Sequence, residues 1–171
     1  MNDGGPNGSS AVIVVAVVPK QSDAVLLQAL ALARDLGAEL ICANVNVGRY
    51  PVEERPDGTI VSLPFDPDLP DLSEEVFDPA LADHIRDVLA TSDIRYTLRA
   101  LAGEPARALG HLAEATDARL IVVGTHEPGL RRGLHDFFEG SVAVHLAHRQ
   151  HRPVVVVPLS PVTDDGKLPW E

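Results

Sequence analysis

The chain has 171 residues, 45% hydrophobic and 23% charged, which is enough to enclose one core in a single globular unit. Its net charge of −11 and pI near 4.9 speak against a nucleic-acid partner, because polyanion affinity rests on Lys and Arg neutralising phosphates. A lone cysteine, Cys42, excludes an internal disulfide framework and a cysteine-based zinc site, and it suits a reducing compartment.

Residues 1–10, MNDGGPNGSS, lack the basic start and apolar middle of a signal peptide and read as a disordered leader. No apolar run approaches the roughly 20 residues of a membrane helix. The expectation is a cytoplasmic protein without a membrane partner.

Ala11 to Val18 is a continuous apolar run closed by Pro19, the pattern of a buried strand. From Ser22 to Leu36, Val25, Leu26, Ala29, Leu30, Ala33 and Leu36 recur at helical spacing, with Ser22 as N-cap and Gly37 as terminator. Glu39 to Val47 gives a second strand, and strand, helix, strand in so few residues implies a parallel crossover.

Residues 48–75 change character, with Pro51, Pro56, Pro64, Pro67 and Pro70 among acidic residues, and read as a loop insertion. Pro56-Asp57-Gly58 is a turn signal that pairs Tyr50–Val52 with Thr59–Leu63 in a small hairpin. Placed after the second strand, such an insertion stands where a lid over the sheet's carboxyl end would be. Asp78-Pro79 then opens a second helix with Leu81, Ile85, Val88 and Leu89 on one stripe.

Ile94 to Leu101 alternates apolar with polar residues, which predicts a third strand at a sheet edge. Glu104-Pro105 opens a third helix. Leu120–Val123 is a fourth, fully buried strand that stops at Gly124, and Gly140-Ser141 begins a fourth helix through Ala147. Val154–Val157 is the fifth strand. Residues 159–171 read as a tail, in which Trp170 is either an anchor or part of a frayed end.

Five strands alternating with four helices predict a doubly wound α/β sheet, whose ligands bind beyond the carboxyl ends of the strands where the winding reverses. The crevice then lies between Val17-Val18-Pro19 and Gly124. Gly124, Gly129 and Gly140-Ser141 gather backbone N–H groups at a helix N-terminus, a setting for an anion. The loop is not a Walker A motif, because Leu130 stands where its lysine belongs. Arg131 and Arg132 either reach a polyphosphate or stand as exposed loop charges. His145, His148 and His151 repeat at intervals of three without the carboxylate or thiolate company a metal needs, so no metal site is assigned. No nucleophile elbow or triad is present, and no catalytic residue is assigned.

These segments together resemble the universal stress protein family over nearly all of residues 11–158. VIVVAVV, the helix ending ALARDLGAEL, the turn Ala102-Gly-Glu-Pro-Ala106, the run DARLIVVGTH, and GSVAVHLAHRQHRPVVVVP carry the resemblance. It implies a Rossmann-like five-stranded parallel sheet, adenine nucleotide alpha hydrolase-like, in strand order 3-2-1-4-5, and commonly a homodimer through the last strand, here Val154, Val155, Val156 and Val157. The family divides into members that bind ATP and members that do not. The binding pattern is a glycine, two residues, a glycine, nine residues, then glycine with serine or threonine. Gly124, Thr125 and His126 match its opening, and Gly140, Ser141 and Val142 match its end.

The middle departs: Glu127 occupies the second glycine's place, and fifteen residues lie between Gly124 and Gly140. Gly129 serves as a displaced second glycine. At the first strand's end, Val18 and Pro19 replace the aspartate and glycine of nucleotide-binding members, a loss worth about 1.5–3 kcal/mol of ligand affinity. Val45 matches the position whose backbone reads adenine. The resemblance thus implies a binding regulator or sensor for ATP or another adenine nucleotide, with Mg2+ as companion. The alternatives are a dimeric interaction module that has lost the nucleotide, and a hydrolase using His126 or Glu127.

Overall fold

The computed structural model describes residues 10–68, 72–125 and 142–159. Its centre is a five-stranded parallel sheet in the order β6-β2-β1-β7-β8. These strands are β1 (Ala11–Ala16), β2 (Ala38–Asn46), β6 (Tyr96–Ala102), β7 (Leu120–Gly124) and β8 (Val154–Val157). Numbered among themselves they run 3-2-1-4-5, the expected order of a doubly wound sheet.

The apolar runs are continuous because both faces of the sheet are covered. Ile13 and Val15 of β1 with Val17 just after it, Leu40 and Cys42 of β2, and Leu120 and Val122 of β7 enter one core with helices α1 (Ala24–Leu36) and α2 (Pro79–Leu89). Their alternates Val14, Ile41, Ala43, Ile121 and Val123 enter a second core with α3 (Pro105–Ala115) and α4 (Val142–Arg149). Ile13, Leu40 and Ile121 have no exposed surface, and each contributes about 1.5–3 kcal/mol by leaving water.

Helix ends follow local chemistry. Asp78 caps α2 through Oδ1, which accepts from Leu81 N at 2.7 Å. Glu104 caps α3, its two carboxylate oxygens accepting from Ala106 N and Arg107 N at 3.0 Å each. Helix α1 ends at Gly37 in the left-handed conformation, φ 60°. Its start differs from expectation: Asp23, not Ser22, holds the N-cap position, and no side chain caps it. The carboxylate of Asp23 is instead engaged by His84 Nε2 of α2 at 2.6 Å, while Ser22 Oγ accepts from Ala24 N at 3.3 Å.

The largest departure is the insertion, which is a second sheet rather than a loop with a short hairpin. Strands β3 (Arg49–Glu54), β4 (Ile60–Pro64) and β5 (Ser73–Glu74) pair antiparallel in the order β3-β4-β5. The expected turn closes β3 and β4 through Gly58 at φ 81°. Pro51 sits in the outer strand at a register shift, where a missing donor costs no ladder bond.

This sheet docks on β6. Ile60 joins the second core beside Leu101 and Ala102, and Arg99 Nη1 donates to Asp57 O at 2.8 Å. Strand β6 is at the sheet edge as its alternation predicts, yet Leu101 and Ala102 are buried, because the insertion covers its end. Among the described residues, no helix is long and apolar enough to cross a membrane.

Candidate functional site

A cavity of about 430 Å³ opens at the carboxyl ends of β1, β2 and β6, within the range of about 300–1,000 Å³ usual for small-molecule sites. Val18 and Pro19 form one side, and Asn44, Val45, Asn46 and Val47 the floor. Ala100 and Leu101 line it from β6, and Glu75 to Pro79, which link the insertion to α2, complete the lining.

Strand β2 outruns β1, and this exposes a backbone edge. Leu40 N bonds Arg95 O and Asn46 O bonds Gly103 N on the β6 side, whereas Ala43 O bonds Val17 N on the β1 side. By the alternation of a parallel ladder, Val45 turns its N–H and C=O toward β1. There β1 has already ended, and the turn through Pro19, which has no N–H, runs past it. Among the described residues no turn or loop backbone bonds to Val45 from that side. One donor and one acceptor, side by side, therefore face a mostly apolar cavity.

The rest of the polar lining is sparse. Asn44 Nδ2 donates to Val17 O at 2.8 Å, tying β2 to the end of β1. Glu75 is only 6% exposed at its side chain and is held from the insertion: Arg49 Nε lies 3.1 Å from Oε1, Ser62 Oγ donates to the same oxygen, and Asn46 Nδ2 donates to Oε2 at 3.2 Å. Arg49 also donates to Ser62 O and Ser73 Oγ, each at 2.8 Å. Asp78 is exposed, with one oxygen spent on the α2 cap. Both charged side chains of the lining are acidic. A phosphate is disfavoured here, and the neutral part of a ligand is not.

The expected site residues fall into three groups. Val18, Pro19 and Val45 meet at this cavity. Val17, Gly124 and Thr125 are placed by packing. Val17 is buried in the core, and Gly124 closes β7 where an added Cβ would stand 2.8 Å from Val25 Cγ2 and 3.0 Å from both Gln21 Nε2 and Leu159 Cδ1. Thr125 N donates to Val157 O at 2.9 Å, and its Oγ1 accepts from Leu159 N at 2.8 Å. Val142 begins α4 and packs on the second core. His126, Gly129, Gly140 and Ser141 lie outside the described residues, as do Glu127, Arg131, Arg132 and Trp170.

At the β7 side of the expected crevice, Gln21, Val25 and Leu159 back Gly124 closely enough that no side chain fits there. The cavity described above lies on the other side of β1, over β2 and β6. Asn44, Asn46, Glu75 and Asp78 have no sequence signature as lining residues; only the insertion's position after β2 hinted at a covering wall. His145 Nδ1 stands 3.9 Å from Glu104 Oε1, His148 and His151 are exposed, and among the described residues no three His, Cys, Asp or Glu converge on a metal position.

A sequence model of the universal stress protein family matches residues 11–158. The chain belongs to the universal stress protein family. Solved structures agree in fold. A universal stress protein in complex with cAMP is 22% identical with a TM-score of 0.55, covering 90% of this chain and 100% of that one. The universal stress protein from Archaeoglobus fulgidus in complex with dAMP is 20% identical with a TM-score of 0.53, covering 86% and 97%. A family protein from Burkholderia pseudomallei is 24% identical with a TM-score of 0.52, covering 88% and 98%. No curated protein matches the chain in sequence.

Proposed function

We propose that this universal stress protein binds ATP or another adenine nucleotide as a cytoplasmic regulator or sensor of stress, hydrolysing it slowly or not at all. The observation that carries the reading is the N–H and C=O of Val45, which face an apolar cavity of base-accommodating size. Such a donor and acceptor pair matches N1 and the 6-amino group of adenine, and a backbone contact is indifferent to the side chain at that position. The complexes of family relatives with dAMP and cAMP support the choice of base.

The ligand's direction follows from charge. With the Asp78 carboxylate and no cation among its described lining residues, the cavity takes the neutral part of the ligand, and the phosphates point away from it. Gly124, Thr125, His126, Gly129, Gly140, Ser141 and Val142 are the residues assigned to the phosphates, with Mg2+ as counter-ion. Val17, Val18 and Pro19 flank the sugar.

Titration calorimetry and thermal melts with Mg-ATP test this. A ligand at 100 times its Kd stabilises the chain by about 2.7 kcal/mol, a rise in Tm of about 5–10 °C for this length. No heat and no shift at millimolar Mg-ATP overturns the reading.

A second reading, a dimeric interaction module of the same fold without nucleotide, is favoured by Val18 in place of an acidic residue and by the open edge at β8, where Val156 is 44% exposed. In either case the proposed partner is a second copy paired along Val154, Val155, Val156 and Val157. Nucleotide recovered near one per chain by denaturing extraction of the purified protein excludes the second reading.

A further inference from the structure

The cavity has lost one acceptor and gained another. Val18 offers no side-chain polar atom at the end of β1. Lining the same cavity are two carboxylates, Glu75 at the end of the insertion and Asp78 in the link from it to α2. Glu75 is saturated by Arg49, Ser62 and Asn46. Asp78 uses Oδ1 on Leu81 N, and its Oδ2 has no partner among the described residues. Asp78 Oδ2 is therefore the uncommitted charged acceptor of the lining.

Its placement is fixed from both sides. Pro79 begins α2 directly after it, with Leu81, Ile85 and Leu89 buried in the first core. Three residues before it, Glu75 is anchored to the small sheet by its side chain and by its backbone N–H, which donates to Ile60 O at 2.7 Å. Residues 75–79 thus form a short strap stretched between two fixed points. A lone carboxylate oxygen in that position accepts a hydrogen bond from a hydroxyl or ammonium group and repels phosphate.

We infer that Asp78 is a specificity-determining residue that accepts hydrogen bonds from the ribose hydroxyls of the bound nucleotide, and that the link between the insertion and α2 thereby supplies a carboxylate that Val18 does not. This rests on the nucleotide-binding reading above. It makes the chain selective for ribonucleotides over analogues without the sugar hydroxyls.

The test compares ATP and 2′,3′-dideoxy-ATP by titration calorimetry on the full chain, wild type and Asp78→Asn. Asparagine is as good an N-cap as aspartate, so the variant keeps α2 capped, and a thermal melt without ligand verifies that. The wild type is expected to bind ATP about tenfold more tightly than the dideoxy analogue, the scale of one hydrogen bond to a charged group. Asp78→Asn should lower ATP affinity to the level of the analogue and leave the analogue's own affinity unchanged. Equal affinity of the wild type for both ligands overturns the inference while leaving nucleotide binding intact. So does an Asp78→Asn variant that weakens both ligands equally or neither. Failure of the wild type to bind either nucleotide overturns the nucleotide reading itself, and this inference with it.

Discussion

Replacing Glu75 by glutamine probes whether the insertion is an integral part of the structure. The change keeps the shape of the side chain and removes its charge beneath Arg49, whose side chain is 19% exposed. Breaking a buried ion pair by removing one partner costs about 3–5 kcal/mol. Arg49 is at the margin of burial and keeps its bonds to Ser62 O, Ser73 Oγ and, at 2.7 Å, Ser62 Oγ. That lowers the expected cost to about 2–3 kcal/mol. Against a total stability of about 5–15 kcal/mol for a domain, the loss is large enough to read by urea denaturation. Native-state hydrogen exchange at Val61 and Ser62 distinguishes local opening of the small sheet from global unfolding. The double variant Arg49→Met, Glu75→Leu removes both charges and should be more stable than the sum of the single losses implies. A Glu75→Gln variant within about 0.5 kcal/mol of wild type, or strict additivity in the double variant, refutes the reasoning.

Three further outcomes follow from the same packing. Burial pushes the Cys42 thiol up from 9.0 to about 12. The folded chain therefore keeps a proton there that the unfolded chain loses; this stability is complete below pH 9 and declines toward pH 12, by up to about 1.4 kcal/mol per pH unit. The fall should be shallower in Cys42→Ala when the two are compared by denaturation between pH 8 and 11, and equal slopes contradict it. Gly124→Ala must push aside Val25 Cγ2 on a fixed helix, which overpacking puts at about 1–3 kcal/mol in a thermal melt. If the proposed dimer pairs along β8, Val156→Lys, at the 44% exposed edge, should abolish it in light scattering with less than about 0.5 kcal/mol lost by the monomer.

The parallel sheet is readable in the sequence because its strands are covered on both faces. That forces unbroken runs such as Val12–Val18 and Leu120–Val123, which periodicity detects. Asp78-Pro79 and Glu104-Pro105 are equally readable, since a capping acid and an N1 proline act over four residues. The insertion is less so. Its turn at Asp57-Gly58 is local, but β5 is two residues long and exists only because Val61 and Ser62 pair with Glu74 and Ser73. The Arg49, Ser62 and Glu75 contacts span up to 26 positions and leave no local pattern. The start of α1 is less readable too: Asp23 holds the N-cap position, and its carboxylate pairs with His84, 61 positions away in the chain. Val45 was legible as a site residue through family resemblance, and its structural justification is the difference in length between β1 and β2.

That difference also bears on why a site can persist with Val18 at its edge. A strand end that carries an acidic side chain contributes charge to the ligand, whereas one that carries valine contributes apolar wall. Here the wall is extensive: Val18, Pro19, Val47, Val76, Phe77 and Leu101 surround the cavity. On the proposed reading, the attraction for a flat base comes mainly from burial, at roughly 25 cal/mol per Å² of apolar surface. Polar atoms are then left to orient the ligand rather than to hold it, and two suffice if they are fixed. Val45 is fixed by the β2 ladder, and the 75–79 strap by Glu75 at one end and the α2 cap at the other. Arg49 neutralises the buried carboxylate that anchors this strap, so the anchor adds little field of its own at the cavity. On the proposed reading the insertion is the second half of the binding cleft, and its Arg49–Glu75 ion pair fixes the position of the strap.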